Sequence, residues 1–341
     1  MTEDVARIPE EPGEDVLTLL DASRFTHLSD LRGLREEALL RLQRESFRRA
    51  LARPDTIALV RRKRTRPAGF VVFGKLDFDT ELFGFPCYAL QNFVVATHDD
   101  LVSRRRLLRE ALDRLQEQGA VFVSARAHAL EATTIAELQA ARFEYMDTTM
   151  RYAYDLRATP PPEFQPPVSL RESRPGDQDV LVDIAATYSD NRFHYDRRIP
   201  RERADEMYRA WLRNSFRGDA DWIVVAEVDG TPVGFTTNKD HPELVTETGG
   251  SVGEMVFSAV SPAARGKDVY TSMIHAGLVH FHGRADLVYL GCLASNVAVQ
   301  RAWQRLGFRV TSVACSFHRW LNEPSFRAEP QATPDSSIRV G

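Results

Sequence analysis

Two segments in the C-terminal half carry residues whose types and order could bind a negatively charged ligand. In the first, the apolar stretch Glu254 to Val260 leads through Arg265, Gly266 and Lys267 into a run with apolar residues at helical spacing. Backbone N–H groups at the start of a helix attract anions, and small residues let a phosphate approach them closely. In the second, Asn296 precedes another helical run. This order of strand, turn and helix predicts an α/β sheet with a ligand near the N-terminus of the first helix.

The segment that follows residue 188 carries further candidates for ligand binding. Arg192 and His194 could contact a phosphate through charged hydrogen bonds. Three aromatic residues could stack on a base or a sugar: Tyr195, Tyr208 and Trp211. The alternative is that the aromatic residues here form the core of two helices, which we favour for positions 208 and 211. No second histidine stands at metal-ligand spacing from His194, so no metal site is predicted.

The composition indicates two soluble domains. The chain has 341 residues, of which 43% are hydrophobic and 27% charged, as is usual for soluble proteins of this length. Its three cysteines form no CxxC pair, which argues against a disulfide framework and favours a reducing cytoplasm. Because the sequence has neither an apolar run of roughly 20 residues nor a secretion signal, we expect no membrane insertion and no export. The net charge of −4 offers no general attraction to nucleic acid.

A proline-rich stretch at 157–167 divides the chain, because its five prolines cannot join a helix or a central strand. We predict a first domain at 16–156 and a second at 168–321. The polar ends, 1–15 and 322–341, lack apolar periodicity and are predicted to be disordered.

The two halves repeat one pattern at a separation of 165 positions (232 − 67, 308 − 143). The matching residues are Pro67, Gly69, Phe70 and Phe143 in the first half and Pro232, Gly234, Phe235 and Phe308 in the second. Each half is predicted to form antiparallel strands, a helix, a buried strand, a second helix and a closing strand. The apolar pattern places the closing strands at Met150 to Leu156 and Cys315 to Leu321.

The C-terminal motifs resemble those of the GNAT superfamily of N-acetyltransferases. Residues 254–267 are similar to the family's central strand and its loop, whose pattern is Arg/Gln-x-x-Gly-x-Gly/Ala. Residues 296–308 are similar to its second signature, an Asn followed by a helix that ends in Gly-Phe. The resemblance implies two tandem GNAT-like domains, each a mixed, mostly antiparallel sheet flanked by helices. The first half would be a degenerate copy that supports the fold or shapes the acceptor cleft.

The resemblance also implies that acetyl-coenzyme A, or another short acyl-coenzyme A, is the co-substrate, and that no metal takes part. Backbone groups of the central strand would hold the pantetheine arm: Val256, Phe257, Ser258, Ala259 and Val260. The loop and the helix start would hold the pyrophosphate: Arg265, Gly266, Lys267, Asp268, Val269 and Tyr270. The second signature would add two cofactor-binding residues: Asn296 and Trp303.

Two departures from the family pattern bear on this site. Asp268 stands where the family has Gly, and we interpret it as an outward-turned helix N-cap whose charge is offset by the two loop cations. Trp303 stands where many members have the Tyr that protonates the departing thiolate. An indole N–H cannot supply a proton at neutral pH, so water, Tyr270 and Ser258 are the candidates for this role.

Glu254 is the candidate general base. It opens its strand where the GNAT-type histone acetyltransferases, with Glu-Ile-Val-Phe-Cys-Ala-Ile, have their catalytic Glu. An ammonium acceptor must lose a proton, directly or through water, before it attacks a thioester. The alternative is a solvent-facing charge at the edge of a strand.

The acceptor side resembles the TDP-fucosamine acetyltransferases, which act on nucleotide-linked amino sugars. These enzymes have an Arg-Phe-centred loop, and an Asp-x-x-Phe-Phe-Gly element that residues 79–84 match with Leu in place of the first Phe. The resemblance implies four acceptor-binding residues: Arg192, Phe193, His194 and Tyr195. We therefore expect a small-molecule amine as acceptor, no nucleic acid or membrane partner, and a monomer or homodimer. The alternatives are a protein or small-amine acetyltransferase and a non-catalytic acyl-coenzyme A-binding protein.

We expect one coenzyme A site per chain. The first half has no Arg-Gly-Lys turn and carries two consecutive acids, Asp99 and Asp100, where the phosphate would lie. Calorimetric titration with coenzyme A should therefore give one site, and reversing the charges of Arg265 and Lys267 should abolish it. Two equivalent sites would contradict the degenerate-copy interpretation.

Overall fold

The computed structural model describes residues 3–23, 31–96, 101–188 and 191–322. Within these ranges twelve strands form one sheet: β1 (Glu3–Arg7), β2 (Ile57–Lys63), β3 (Arg66–Lys75), β4 (Cys87–Val95), β5 (Phe122–His128), β6 (Glu144–Asp155), β7 (Ser169–Glu172), β8 (Trp222–Val228), β9 (Thr231–His241), β10 (Ser251–Val260), β11 (Ala285–Leu293) and β12 (Arg309–Trp320). The α-helices of the same ranges are α1 (Glu14–Asp21), α2 (Glu36–Leu51), α3 (Asp77–Phe83), α4 (Leu101–Glu117), α5 (Ala132–Ala140), α6 (Gln178–Ala185), α7 (Arg192–Tyr195), α8 (Arg201–Asn214), α9 (Val269–Phe281) and α10 (Val297–Leu306).

The sequence repeat is visible in the elements themselves. β6 and β12 begin 165 positions apart (309 − 144), and so do β2 and β8 (222 − 57). Among the described strands, only the pairs β4–β5 and β10–β11 are parallel. The expected α/β class, with a mixed and mostly antiparallel sheet, is confirmed.

The last strands of the two halves are exchanged. The strand order is β1-β2-β3-β4-β5-β12-β6-β11-β10-β9-β8-β7. β12, from the end of the second half, therefore pairs with β5 of the first half, and β6 pairs with β11 of the second. β6 and β12 also pair with each other. As a result, residues 168–321 share their sheet with residues 144–155, and the two halves form one continuous sheet.

Helices cover the two faces of the sheet in different ways. α4 and α5 pack against Val123 and Ala125 of β5, and α9 and α10 pack against Val288 and Leu290 of β11. The opposite face is covered by α1 and α2 in the first half and by α6, α7 and α8 in the second. Because side chains alternate along a strand, Arg126 and its neighbours at every second position face this other side. The functional site lies on that side.

Helix α2 reaches from one half to the other. Phe47, in its C-terminal part, packs in the core of β2 and β3. Leu39 and Leu42, in its N-terminal part, pack against a cluster that includes Tyr289 of β11. The helix therefore covers the junction of the two halves.

Two predicted boundaries are corrected. β1 pairs with β2 and Ile8 is buried, so residues 3–15 are ordered rather than disordered; a short polar edge strand has no apolar periodicity that would predict it. β6 and β12 each begin six residues earlier than predicted (150 − 144, 315 − 309). Polar residues in these extensions face a cavity, which removes the expected apolar pattern. The predicted disordered tail after position 322 lies outside the described residues.

Candidate active site

A cleft opens where the parallel strands β10 and β11 separate. Their pairing ends at Met255↔Leu290, although β10 continues to Val260 and β11 to Leu293. The register between β10 and β9 shifts between Met255 and Phe257, which makes Val256 a bulge. A bulge bends the strand that carries it, so the edge of β10 after this point faces the cleft instead of a neighbouring strand.

The cleft is one end of a cavity of about 1930 Å³ whose walls come from both halves. At the cleft end it is lined by β10, β11 and the first turn of α9. At the other end it is lined by β5 and β6 of the first half, with α7, α8 and α2 above them. Typical small-ligand sites occupy roughly 300–1,000 Å³, so this cavity has room for a second molecule beside the one held in the cleft.

The predicted phosphate loop lies at the N-terminus of α9. Gly266 has a φ of 76° with open space on its Cβ side, so the turn needs glycine for its backbone conformation. The Arg265 guanidinium donates to the Val260 carbonyl at 3.2 Å and to the Thr187 hydroxyl at 3.2 Å. Lys267 is exposed. Arg265 thus fixes the loop to β10, while Lys267 remains in solvent.

Asp268 occupies the N-cap position of α9, but its side chain caps no backbone N–H. Its Oδ1 instead accepts hydrogen bonds from the Thr271 hydroxyl at 3.2 Å and from Arg305 at 3.3 Å. The capping bond expected of Asp268 is absent, and its charge is offset by Arg305 of α10 rather than by the loop cations. The N–H groups of the first turn of α9 therefore have no side-chain cap from Asp268.

The second signature contributes a helix cap and a buried indole. The Asn296 side chain accepts from Val299 N at 3.4 Å, which caps α10. Trp303 is 2% exposed and packs against Tyr152. Its Nε1 donates a hydrogen bond of 3.1 Å to the hydroxyl oxygen of Tyr270. Both Asn296 and Trp303 line the cavity, and Trp303 holds the phenol of Tyr270 in the cleft.

Glu254 is part of a network that the sequence did not predict. His241 Nε2 lies 2.9 Å from Oε2 of Glu254, and the Tyr289 hydroxyl lies 3.3 Å from the same nitrogen. Glu243 contacts the other ring nitrogen of His241 at 3.0 Å. Burial raises the pKa of Glu254, but hydrogen bonds from His241 and Tyr289 and the charges of His241 and Arg151 outweigh it, so the pKa lies below its usual value. The bond to Glu254 raises the pKa of His241 despite burial. When His241 is protonated, the two side chains form an ion pair.

Of the four predicted acceptor-binding residues, Arg192 and Phe193 reach the cavity wall. Phe193 is 2% exposed and contacts Phe83 at the end of α3, at a ring separation of 5.1 Å. His194 instead lies 2.9 Å from Asp205 of α8, and Tyr195 is 42% exposed, so neither lines the cavity. The short helix α7 explains this difference, because it turns successive side chains in different directions. The preceding residues 189 and 190, which belong to the same motif, lie outside the described residues.

The cavity also contains residues that sequence reasoning missed. Arg126 projects from β5, and Asp147 and Arg151 project from β6. The sequence feature that could have indicated these residues is the polar residues at alternate positions of strands that are otherwise apolar. Without the strand order, nothing indicated that these residues and the cleft face one cavity.

Metal binding and membrane insertion find no support in the described ranges. These ranges contain no group of three or more His, Cys, Asp or Glu side chains that could hold a metal ion. None of the helices described combines the length and the apolar character needed to cross a lipid bilayer.

Known proteins are similar to this chain in sequence and in fold. Residues 184–308 match the model of the acetyltransferase (GNAT) family. The matched stretch lies within the second half of the chain and contains both motifs that resemble the GNAT family. A curated relative is the "Spore coat polysaccharide biosynthesis protein SpsD" of Bacillus subtilis, which is 24% identical over 172 residues. That stretch covers 48% of this chain and 56% of the relative, so the match spans little more than half of the relative's length.

Two solved structures extend the GNAT similarity of the fold to both halves. A tandem GNAT protein from the clavulanic acid biosynthesis pathway is 16% identical, with a TM-score of 0.54, and the match covers 94% of this chain and 99% of that one. A GCN5-related N-acetyltransferase from Sphaerobacter thermophilus is also 16% identical, with a TM-score of 0.61 and coverage of 94% and 96%. The chain thus has the fold of a tandem GNAT protein.

The His241–Glu254 ion pair predicts a pH-dependent contribution to stability. A raised His pKa stabilises the fold below its unfolded value of about 6.5, and this contribution disappears as the pH rises through the folded pKa. A lowered Glu pKa stabilises the fold above about 4.5, and this contribution disappears as the pH falls through the folded pKa. The loss of unfolding free energy in His241→Gln should therefore be larger at pH 6 than at pH 9.

Urea unfolding of the wild type and the variant at both pH values measures this difference. His282→Gln, which changes an exposed histidine just after α9, is the matched control and should show no such dependence. An equal loss at both pH values in His241→Gln would contradict the ion pair.

Proposed function

We propose that the protein is an N-acyltransferase that moves an acetyl or another short acyl group from acyl-coenzyme A to a primary amine in the cytoplasm. The observation that carries this proposal is the opening between β10 and β11, which meets the uncapped N-terminus of α9 at one end of a large cavity. A pyrophosphate would take the N–H groups of the first turn of α9. The exposed edge of β10 after the bulge would offer backbone groups to the pantetheine amides.

Glu254 would take the proton from the attacking amine. The ion pair with His241 keeps the carboxylate ionised and therefore able to accept a proton. The same pair lowers its pKa, which makes it a weaker base. The neighbouring charge of His241 would thus adjust the strength of the base, and Tyr289 would fix its orientation.

Tyr270 would protonate the departing thiolate in place of the missing phenol at position 303. The indole of Trp303 donates to the Tyr270 oxygen, so the hydroxyl hydrogen of Tyr270 remains available to point into the cleft. Burial raises the pKa of Tyr270, so it is protonated at neutral pH. The raised pKa also makes Tyr270 a weaker acid, but a thiolate formed in the same buried cleft is likewise more basic than in water, which offsets this effect.

The acceptor is proposed to be a small-molecule amine, such as a nucleotide-linked amino sugar or a related biosynthetic intermediate. The name of the Bacillus subtilis relative, which concerns polysaccharide biosynthesis, supports an amino-sugar acceptor. The volume of the cavity and its enclosure by both halves favour a small molecule over a protein side chain. A protein acetyltransferase and a non-catalytic acyl-coenzyme A-binding protein are the competing functions.

Thiol release from acetyl-coenzyme A tests this function. The panel of acceptors should include amino-sugar nucleotides, free amino sugars, simple amines and a lysine peptide. Release with an amino-sugar nucleotide, together with the N-acetylated product by mass spectrometry, supports the proposal. Release only with the peptide would favour the protein acetyltransferase. Coenzyme A binding without release for any amine would favour the non-catalytic alternative.

If Glu254 is the base, Glu254→Gln should lower kcat by roughly 10² to 10⁴-fold while coenzyme A binding is kept. Glutamine preserves size and hydrogen bonding but not basicity. At higher pH more of the amine is already free, so the rate of the variant should approach that of the wild type. A steady-state pH profile measures this, and a variant with wild-type kcat throughout would remove Glu254 from the mechanism.

If Tyr270 is the acid, Tyr270→Phe should lower kcat by roughly 10²-fold and leave coenzyme A affinity nearly unchanged. Trp303→Phe, which removes only the bond to the phenol oxygen, should cause a smaller loss because it leaves the acid in place. Single-turnover kinetics with each variant measures both effects. An unimpaired Tyr270→Phe variant would assign the proton to water or to Ser258.

A further inference from the structure

Two charged residues lie in one row across three strands at the end of the cavity away from the cleft. Arg126 of β5 is paired with Ser316 of β12, and Ser316 is paired with Asp147 of β6. Directly paired residues on neighbouring strands share a face of the sheet, and Arg126 and Asp147 both line the cavity.

Helix α7 brings a second guanidinium to the same place. Its start is fixed by Asn191, whose Oδ1 accepts from the backbone N–H groups of Phe193 and His194. The guanidinium of Arg192 lies 4.5 Å from the centre of the Phe193 ring. Arg126 is exposed to the cavity, and Arg192 lies close enough that its charge is the main cause that lowers the pKa of Arg126 to about 10.

These charged side chains form no hydrogen-bonded pairs among the described residues, although the carboxylates of Asp79 and Asp147 act on Arg126 through their charge. Arg126, Arg192 and Asp147 form neither side-chain hydrogen bonds nor ion pairs there. Asp147 is 6% exposed, and its Oδ1 is buried without a hydrogen bond, as are Nε of Arg192 and Oγ of Ser316. Leaving a buried carboxylate such as that of Asp147 without a hydrogen bond is costly for folding. Two guanidinium groups that repel each other across a cavity are therefore better explained by a ligand than by stability.

We propose that Arg126 and Arg192 together bind an oxyanion, a phosphate or a carboxylate, carried by the acceptor. Guanidinium groups match the geometry of such anions with paired hydrogen bonds. Asp147 would accept hydrogen bonds from hydroxyl or N–H groups of the same molecule. The acceptor site is thus built by both halves, since Arg126 and Asp147 belong to the first and Arg192 to the second. The assignment to the acceptor rests on the proposed function.

The position of the anion sets the length of the acceptor. Arg151, four residues after Asp147 on β6, is paired with Gly291, which lines the cleft. At about 3.3 Å per residue, Asp147 lies roughly 13 Å along the strand from the cleft. The anionic group would therefore lie on the order of 10 Å from the reacting amine. A simple amino acid cannot span this distance, whereas an amine on a sugar linked to a phosphate or a nucleotide can.

Binding of two probe anions tests the proposal without requiring turnover. Inorganic pyrophosphate and succinate are titrated by calorimetry into the full chain saturated with coenzyme A, which occupies the loop at α9. We expect at least one probe to bind the wild type, and Arg126→Gln or Arg192→Gln to weaken that binding by about tenfold or more. Preference for pyrophosphate would indicate a phosphorylated acceptor, and preference for succinate a carboxylated one.

Arg109→Gln is the matched control, because Arg109 is exposed on α4, which packs on the opposite face of the sheet. It should bind the probes like the wild type. Coenzyme A affinity reports whether each variant is folded. If Arg126→Gln fails this check, Arg126→Lys is used instead. Lysine keeps the positive charge but lacks the planar guanidinium that donates two parallel hydrogen bonds, so the loss of probe affinity should be smaller.

The proposal is overturned if neither probe binds the wild type, or if folded Arg126 and Arg192 variants bind as tightly as the control. An amine panel without any acetylation, combined with intact and arginine-dependent probe binding, would overturn the proposed activity and keep the anion site.

Discussion

The cavity exists because β6 and β12 pair across the two halves. The outer edge of β11 carries backbone N–H and C=O groups that must find partners, and β6 from the other half supplies them. β12 does the same for β5. Since side chains alternate along a strand, a shift of one residue in β6 would turn Asp147 and Arg151 away from the cavity. The strand pairings of β6 and β12 thus join the two halves. They also place Asp147 and Arg151 of the first half in the cavity that contains the cleft.

The charged side chains at the two ends of the cavity differ in whether they are hydrogen-bonded to a partner. Near the cleft, Glu254 is paired with His241 and surrounded by Tyr289 and Glu243. At the far end, Arg126 and Arg192 lie near each other without hydrogen-bonded partners among the described residues. A paired carboxylate keeps a defined charge and orientation, as proton transfer requires, whereas unpaired guanidinium groups retain their hydrogen-bonding capacity for a ligand.

The departures from the family motif are compensated in space by residues distant in sequence. The carboxylate of Asp268 would oppose a pyrophosphate, but Arg305 offsets its charge, and both Arg305 and Thr271 hydrogen-bond to it. The indole of Trp303 cannot give up a proton, but it supports the phenol of Tyr270 in the cleft. In both cases the compensating contact joins a residue of α10 to a residue at the start of α9. The departures in these two segments are therefore structurally linked.

The sequence by itself determined the GNAT motifs, the α/β class, the repeat of 165 positions and the loop before α9. These features follow from local spacing: helical periodicity, strand alternation, and glycine at a turn that needs a positive φ. Only the tertiary structure decided the exchange of β6 and β12, the pairing of His241 with Glu254 and the meeting of Arg126 with Arg192. It also turned His194 and Tyr195 away from the cavity, although they follow Arg192 directly. The physical reason is that strand register and helix orientation are fixed by hydrogen bonds and packing between segments far apart in the chain, and no local pattern of residues reports those contacts.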